Sequence, residues 1–277
     1  MSLFSSKLGK YIEVPCGKCN ACLSNKRAEW TFRLKEELKV SKTAYFVTLT
    51  YDINKVPLIF KNEKGKYEKR KIPLELSKRD VQLFMKKLRK VQKKVTNDSI
   101  RYYLVGEYGS QTMRAHYHAI LFNLDMSLKN KIVDIWNYGF VYIGSVTGAS
   151  IHYTTKYMIN KFDREDEVIV QPFALMSRRP ALGSNYLKTK KYHKQGKFYT
   201  VVSQGRKQTM PRYYRDKIFN KFEQFEHKKE MEKLAQKIQE KRDNELMSRG
   251  INPFEMEVTN KEDYIRRSNK IVKKSKL

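Results

Sequence analysis

Along the chain the hydrophobic positions switch between a two-residue and a three-to-four-residue period, and each switch marks an element. Ala44-Tyr45-Phe46-Val47-Thr48-Leu49-Thr50-Tyr51, rich in β-branched and aromatic residues, predicts a strand. A long polar stretch over 52–76 reads as a loop. Ser77-Lys78-Arg79-Asp80 then approximates a capping box, with Asp in place of Glu, and opens an amphipathic helix with Val81, Phe84, Met85 and Leu88 on one stripe. Ile100 to Glu107 and His116 to Phe122 read as a hairpin around the turn-like Gly109-Ser110-Gln111-Thr112. Ser127 is placed to cap a short helix carrying Leu128, Ile132, Ile135 and Trp136, which Gly139 stops. Phe140-Val141-Tyr142-Ile143 is a further strand, and Ser150 starts a helix running through Tyr153 and Tyr157 to about Phe162. Upstream, a Cys-bearing loop over 11–23 precedes a helix capped by Ser24 and running to about Val40.

From residue 44 the order is strand, helix, strand, strand, helix, strand, helix. Its first six elements match the split βαβ arrangement, an antiparallel sheet with two helices on one face. The expected fold is therefore α+β: four to five strands of ferredoxin- or RRM-like topology, helices packed on them, and a helical C-terminal extension. An unrelated α+β sandwich is the alternative. Four regions follow from this reading: the loop and helix of 1–40, a core over 41–167, an extension over 168–215, and a helical region and tail over 216–277.

Charge changes the picture most. Lys and Arg total 58 against 29 Asp and Glu, a net +29 in 277 residues, which argues for a polyanionic partner. Residues 1–215 carry 42 basic and 17 acidic residues, and 216–277 carry 16 and 12, so the excess travels with the core and its extension. The extension itself holds eleven Lys or Arg, no acid and seven aromatics. That combination suits a surface that neutralises phosphates and stacks unpaired bases, with Arg178, Arg179, Lys188, Lys190, Lys191 and Arg206 as its candidate DNA contacts. A solvated basic face is the plainer reading. No apolar run approaches the length of a transmembrane helix, and residues 1–14 lack the pattern of a secretory signal. Three cysteines make no disulfide framework, so a reducing, cytoplasmic compartment is expected, without membrane association. No phosphate-binding glycine loop of the nucleotide-hydrolase or dinucleotide type occurs, so unwinding of DNA would need a separate ATPase.

The candidate chemistry is concentrated in three places. His116 and His118 flank Tyr117 in a strand, so alternation sends both imidazoles to one face. If Glu107 pairs opposite His116, it joins them there, and Thr48 and Thr50 could border the same site. One carboxylate and two imidazoles leave coordination positions open and suit Mg²⁺, Mn²⁺ or Zn²⁺; histidines without metal are the bland alternative. Downstream, Tyr153 and Tyr157 stand at i and i+4 of one helix, with Lys156 adjoining and Lys161 continuing that face. A tyrosine hydroxyl becomes a usable nucleophile beside a cation, although such pairs are also ordinary packing. Finally, Cys16, Cys19 and Cys22 could hold structural Zn²⁺ if a fourth ligand came from elsewhere, with His193 and His227 as candidates. They could equally be thiols, and the helix after them carries Lys26, Arg27 and Arg33 as further candidate DNA contacts.

Taken together, the two-threonine strand, the Glu before His-Tyr-His, and the Tyr/Lys helix resemble the HUH endonuclease superfamily. The chain is similar, more closely, to the replication initiation proteins of microviruses, especially the gokushovirus type. The stretches that carry this are Pro15-Cys16-Gly17-Lys18-Cys19-x-x-Cys22, Phe46 to Asp52, Gly106-Glu107-Tyr108-Gly109 leading into Arg114 to His118, Tyr153-x-x-Lys156-Tyr157, and Ser177-Arg178-Arg179-Pro180 through Gly183. Two positions depart: Ala115 stands where the family often has Pro, and Lys161 follows Tyr157 by one residue more than Lys156 follows Tyr153.

The resemblance implies a nuclease core over 41–167 that nicks the origin of the duplex replicative form. It would remain joined to the 5′ phosphate through tyrosine while the 3′ hydroxyl primes rolling-circle synthesis. It implies that Glu107, His116 and His118 bind a divalent ion and that Tyr153 and Tyr157 are paired nucleophiles. It also implies single-stranded and origin DNA, a host helicase and a replication polymerase as partners in the bacterial cytoplasm. The competing readings are a non-enzymatic DNA-binding or packaging protein, for which charge alone would suffice, and a related transposase or relaxase.

Overall fold

The computed structural model describes residues 2–5, 9–17, 19–55, 59–61, 67–69, 75–109, 114–156, 170–202 and 205–274. They fall into two compact units, Met1–Tyr186 and Leu187–Leu277.

In the first unit, β1 (Ser2–Ser5) and β2 (Lys10–Glu13) form a small hairpin. The helix α1 (Asn20–Val40) follows, then β3 (Ala44–Thr50) and a second small hairpin, β4 (Ile59–Lys61) with β5 (Tyr67–Lys69). After α2 (Lys78–Gln92) come β6 (Arg101–Tyr108), β7 (Ala115–Phe122), α3 (Lys131–Trp136), β8 (Val141–Ser145), α4 (Gly148–Lys156) and β9 (Phe173–Met176). Five strands pair in the order β8-β3-β7-β6-β9, every pair antiparallel. The first four of these are in the split βαβ order that the pattern implies. The fifth strand, β9, lies inside the segment read as the basic extension. Four apolar residues at an edge are too short a signal to separate from a loop.

Both faces of the sheet are covered. Strand alternation sends Val47, Leu49, Leu104, Tyr117, Ala119 and Leu121 to one side, where Val81, Phe84, Met85 and Leu88 of α2 and Ile132 and Trp136 of α3 pack on them. The other side carries Tyr103, Val105, Ile120 and Phe122, met by Leu34 of α1, Ile151 of α4 and Leu182. The sequence reading places helices on one face alone. The second layer escaped it because α1 buries polar residues: Thr31, Glu36 and Glu37 are all nearly inaccessible. Glu37 is neutralised by Arg101, whose Nη2 donates to its Oε2 at 3.2 Å, and it also accepts from the Gly183 amide at 2.8 Å. Such charges enter a core when paired and hydrogen-bonded.

Several local signals take a different form in the structure. Ser77 accepts from the Asp80 amide, but Asp80 does not complete the box; its carboxylate instead accepts from the buried Tyr51 hydroxyl at 2.6 Å. Helix α1 starts at Asn20, with Cys19 rather than Ser24 at its N-cap. Asn137, in the left-handed region at φ 47°, ends α3, not Gly139. Glycine is needed at 139 for another reason: a Cβ there would lie 2.3 Å from the Thr50 carbonyl oxygen. For α4, Thr147 and Ser150 exchange hydrogen bonds between side chain and backbone amide, so the helix opens at Gly148 rather than at Ser150.

The second unit has a short helix α5 (Lys190–His193), a hairpin of β10 (Tyr199–Val201) with β11 (Lys207–Thr209), and α6 (Arg212–Ile218). Two long helices follow, α7 (Lys221–Ser248) and α8 (Pro253–Lys274). A complete capping box of Asn220 and Glu223 starts α7. Its Phe222, Phe225, Met231, Leu234 and Ile238 are all exposed. Among the described residues, no helix is long and apolar enough to cross a membrane.

Candidate active site

The register of the central strands assembles the site. Glu107 is opposite His116 and Val105 opposite His118, while β3 sets Thr48 opposite His118 and Thr50 opposite His116. Parity therefore puts Glu107, His116, His118, Thr48 and Thr50 on the face shared with α1 and α4. Trp136 donates from Nε1 to the Thr50 carbonyl at 2.8 Å, tying this end of β3 to α3 from behind.

Direct contacts tie the polar groups together. His118 Nε2 lies 2.9 Å from Glu107 Oε1, and His118 Nδ1 lies 3.0 Å from Thr48 Oγ1. The His118 ring stacks on Phe46 at 5.8 Å between centroids. His116 runs parallel to His118 at 6.5 Å, and its Nδ1 is 2.7 Å from the Arg114 carbonyl. Burial holds the His116 imidazole below its usual range, against the pull of that carbonyl, so its neutral form is favoured. Each imidazole thus spends Nδ1 on the protein, which is the arrangement that orients Nε2 toward a metal.

From α4, Tyr153 brings its ring edge-on to His118 at 5.1 Å and to Phe46 at 6.1 Å, while staying 43% exposed. The helix is held by the buried Thr155, whose hydroxyl lies 3.1 Å from that of Thr31 on α1. Lys156 is half-buried on the same helix, one turn from Tyr153. Tyr157 and Lys161 lie outside the described residues. The site's surroundings are basic. Burial lowers the His152 imidazole, and Lys35 and Arg27 of α1 push it further in the same direction.

Among the described residues, the group whose ligand atoms all lie within 4.8 Å of one another is Cys16, Cys19 and Cys22, which could hold a metal ion. Glu107 and His118 touch, with His116 alongside. The two histidines that might have completed the cysteine set have roles within the second unit. His193 is buried with Nδ1 2.9 Å from the Lys197 carbonyl, and His227 stacks on Phe198.

The candidate DNA contacts divide between the units. Arg178 and Arg179 are exposed on the turn after β9 in the first. Lys188, Lys190, Lys191 and Arg206 are exposed in the second, where Lys197 lies over the Tyr192 ring and Lys207 over Tyr199. Arg33 is different from the expectation: its guanidinium donates to the Leu182 carbonyl at 3.1 and 3.2 Å and stacks on Trp30, so it braces the fold.

One residue on this face escaped sequence reasoning. Tyr142 on β8 pairs with Thr48, completing a row Val105, His118, Thr48, Tyr142 across four strands. It is 64% exposed. Its signal was the parity of β8, where Val141 and Ile143 pack on the opposite core.

Residues 44–162 match the family model of the ORF2-type replication-associated proteins. The chain is 29% identical over 225 residues to the replication-associated protein VP4 of Bdellovibrio phage phiMH2K, covering 73% of this chain and 66% of that one. It is 33% identical over 174 residues to the replication-associated protein ORF2 of Spiroplasma virus 4, covering 57% and 51%. To the replication-associated protein ORF4 of Chlamydia phage 1 it is 23% identical over 234 residues, covering 73% and 53%. The chain thus spans between about half and two thirds of the length of these curated relatives. No solved structure matches it. The segment that builds the sheet and carries Glu107, His116, His118 and Tyr153 belongs to the ORF2-type family of replication-associated proteins.

Proposed function

We propose that this chain is a rolling-circle replication initiator that nicks and rejoins phage origin DNA through a tyrosine–phosphate intermediate, inside the bacterial host. The observation that carries the proposal is the placing of Tyr153 against His118, itself bonded to Glu107, on one face with an open edge. A packaging protein has no use for that convergence.

Glu107, His116 and His118 would hold a divalent ion such as Mg²⁺ or Mn²⁺; one carboxylate with two imidazoles is a donor set that suits it. When bound, the ion would supply Lewis-acid polarisation of the scissile phosphate. The remaining chemistry belongs to the chain. Thr48 keeps the His118 ring oriented through Nδ1. Tyr153 attacks phosphorus through its hydroxyl oxygen. A Tyr–O–P bond forms and the bond to the 3′ oxygen breaks. The tyrosine's proton goes to solvent, and the 3′ oxygen takes one from solvent to leave as a hydroxyl. Lys156 offsets charge on the phosphate. Tyr157, four residues on, would take the second turn at rejoining. The exposed Lys and Arg residues, with Tyr192 and Tyr199, would hold the single strand, and a host helicase and polymerase would act on the released 3′ end.

The test is incubation with a single-stranded origin oligonucleotide and Mn²⁺. A covalent protein–DNA adduct is expected, absent in a Tyr153→Phe, Tyr157→Phe double variant. Undiminished cleavage by that double variant would sink the mechanism.

A further inference from the structure

The cysteine cluster stands apart from the cleavage chemistry. Three sulfurs lie within 4.8 Å of one another, and those of Cys16 and Cys22 are 3.9 Å apart. That spacing separates two kinds of metal centre. A single tetrahedral Zn²⁺ with bonds of about 2.3 Å to thiolate puts two sulfurs about 3.8 Å apart. A four-iron cluster also uses C-x2-C-x2-C runs, but it spreads its thiolates over separate irons and draws on a fourth cysteine followed by proline. This chain has three cysteines in all.

The backbone is already shaped around the first sulfur. The Cys19 amide donates to Cys16 Sγ at 3.2 Å, a bond that strengthens once the sulfur is a thiolate. Gly17 sits at φ 71°, the left-handed region where glycine carries no Cβ penalty. The cluster also marks where α1 begins. Cys19 is its N-cap yet makes no side-chain capping bond, and among the described residues the first turn holds no acid. The open amides and positive dipole end of a 21-residue helix therefore lack the usual anion. Three thiolates around a divalent cation leave a single net negative charge there.

We propose that Cys16, Cys19 and Cys22 hold one Zn²⁺ ion, with solvent in the fourth position, and that this ion fixes the start of α1. Binding releases the three thiol protons to solvent. Cys19 is exposed while Cys16 and Cys22 are half-buried, so the open corner faces water. Further along α1, Thr31 bonds Thr155 on the tyrosine-bearing helix, and Arg33 and Glu37 anchor the 178–183 turn. The ion thereby steadies the layer that covers the catalytic face. The proposal is independent of the cleavage reading, because it is tested by metal content and not by nicking.

The full chain, produced with zinc and reductant, is expected to retain one zinc per chain by mass spectrometry. Replacement with Co²⁺ should give a thiolate-to-cobalt charge-transfer band in the near ultraviolet, lost in the Cys16→Ser, Cys19→Ser, Cys22→Ser triple variant. Should that variant fail to fold, titrating the wild-type thiols with a mercurial in the presence of a chromophoric chelator should release the zinc as the three cysteines react. Removing the zinc should speed hydrogen exchange in the first turns of α1 and leave β6 and β7 protected. Substoichiometric zinc, a Co²⁺ complex without the band, or bound iron and sulfide would each overturn the assignment.

Discussion

On the face covered by α2 and α3, the sheet is packed from end to end: Val47, Leu49, Leu104, Ala119 and Leu121 are fully buried, and the polar groups there are paired internally. Tyr51, for example, meets Tyr117 and Asp80, and its burial pushes the hydroxyl far above its usual range, so it stays neutral. On the face covered by α1 and α4 the same strands run from the Arg101–Glu37 ion pair, through Tyr103 and Val105, to Glu107, His118 and an exposed tyrosine. Strand parity gives each β-residue only one of these faces. One face can therefore be spent on packing while the other keeps a polar, half-open end for chemistry.

The largest expected effect tests that division directly. His118→Ala should lower the nicking rate on the order of 10³-fold, about 4 kcal/mol of transition-state stabilisation, while thermal unfolding moves little. Chelating the divalent ion should do the same to the wild type. The measurement is adduct formation over time beside a melting curve. Large destabilisation with nicking retained would reverse the roles given to the two faces.

The complement is Leu88→Ala on α2, where a fully buried side chain faces the packed side. It should cost about 2–5 kcal/mol of stability, or roughly 2–4 °C in Tm per kcal/mol for a unit of this size. Nicking per folded molecule should be unchanged at low temperature. Loss of activity without loss of stability would show that the two faces are coupled.

These two faces were unequally legible in the sequence. The packed side was readable because Val81, Phe84, Met85 and Leu88 keep a helical stripe and β3 alternates cleanly. The chemical side was readable at its polar end, since His116 and His118 two apart can only share a face. What could not be read was the cover over it. Glu37 and Thr31 look like solvent-facing positions until Arg101, Gly183 and Thr155, far away in sequence, are brought to them. Pairing of that kind is tertiary and leaves no local period. The same holds for β9, whose four residues become a strand only because β6 offers them an open edge.

A smaller effect belongs to orientation. Thr48→Val keeps the shape of β3 but leaves His118 Nδ1 without the hydroxyl 3.0 Å away. Removing such a support for a metal-bound imidazole typically costs 10–100-fold. The loss should appear as weaker dependence on added Mn²⁺, with the apparent metal affinity down by about that factor. Thr48→Ser should restore it.

The smallest expected effect sharpens where the chemical face ends. Tyr142 is in the row of His118 and Thr48, it is exposed, and its ring lies over Gly144, where a Cβ would come within 3.1 Å of the hydroxyl oxygen. An open aromatic beside the scissile position can stack a base, worth about 1–3 kcal/mol by alanine substitution. Tyr142→Ala should therefore raise KM for a single-stranded oligonucleotide by roughly tenfold and leave kcat alone, and Tyr142→Phe should behave as wild type. Gly144→Ala, which forces the ring off its strand, should fall between them. If Tyr142→Ala instead lowered kcat at unchanged KM, the side chain would belong to the reacting centre, and the chemical face would extend across β3 to the sheet's outer strand.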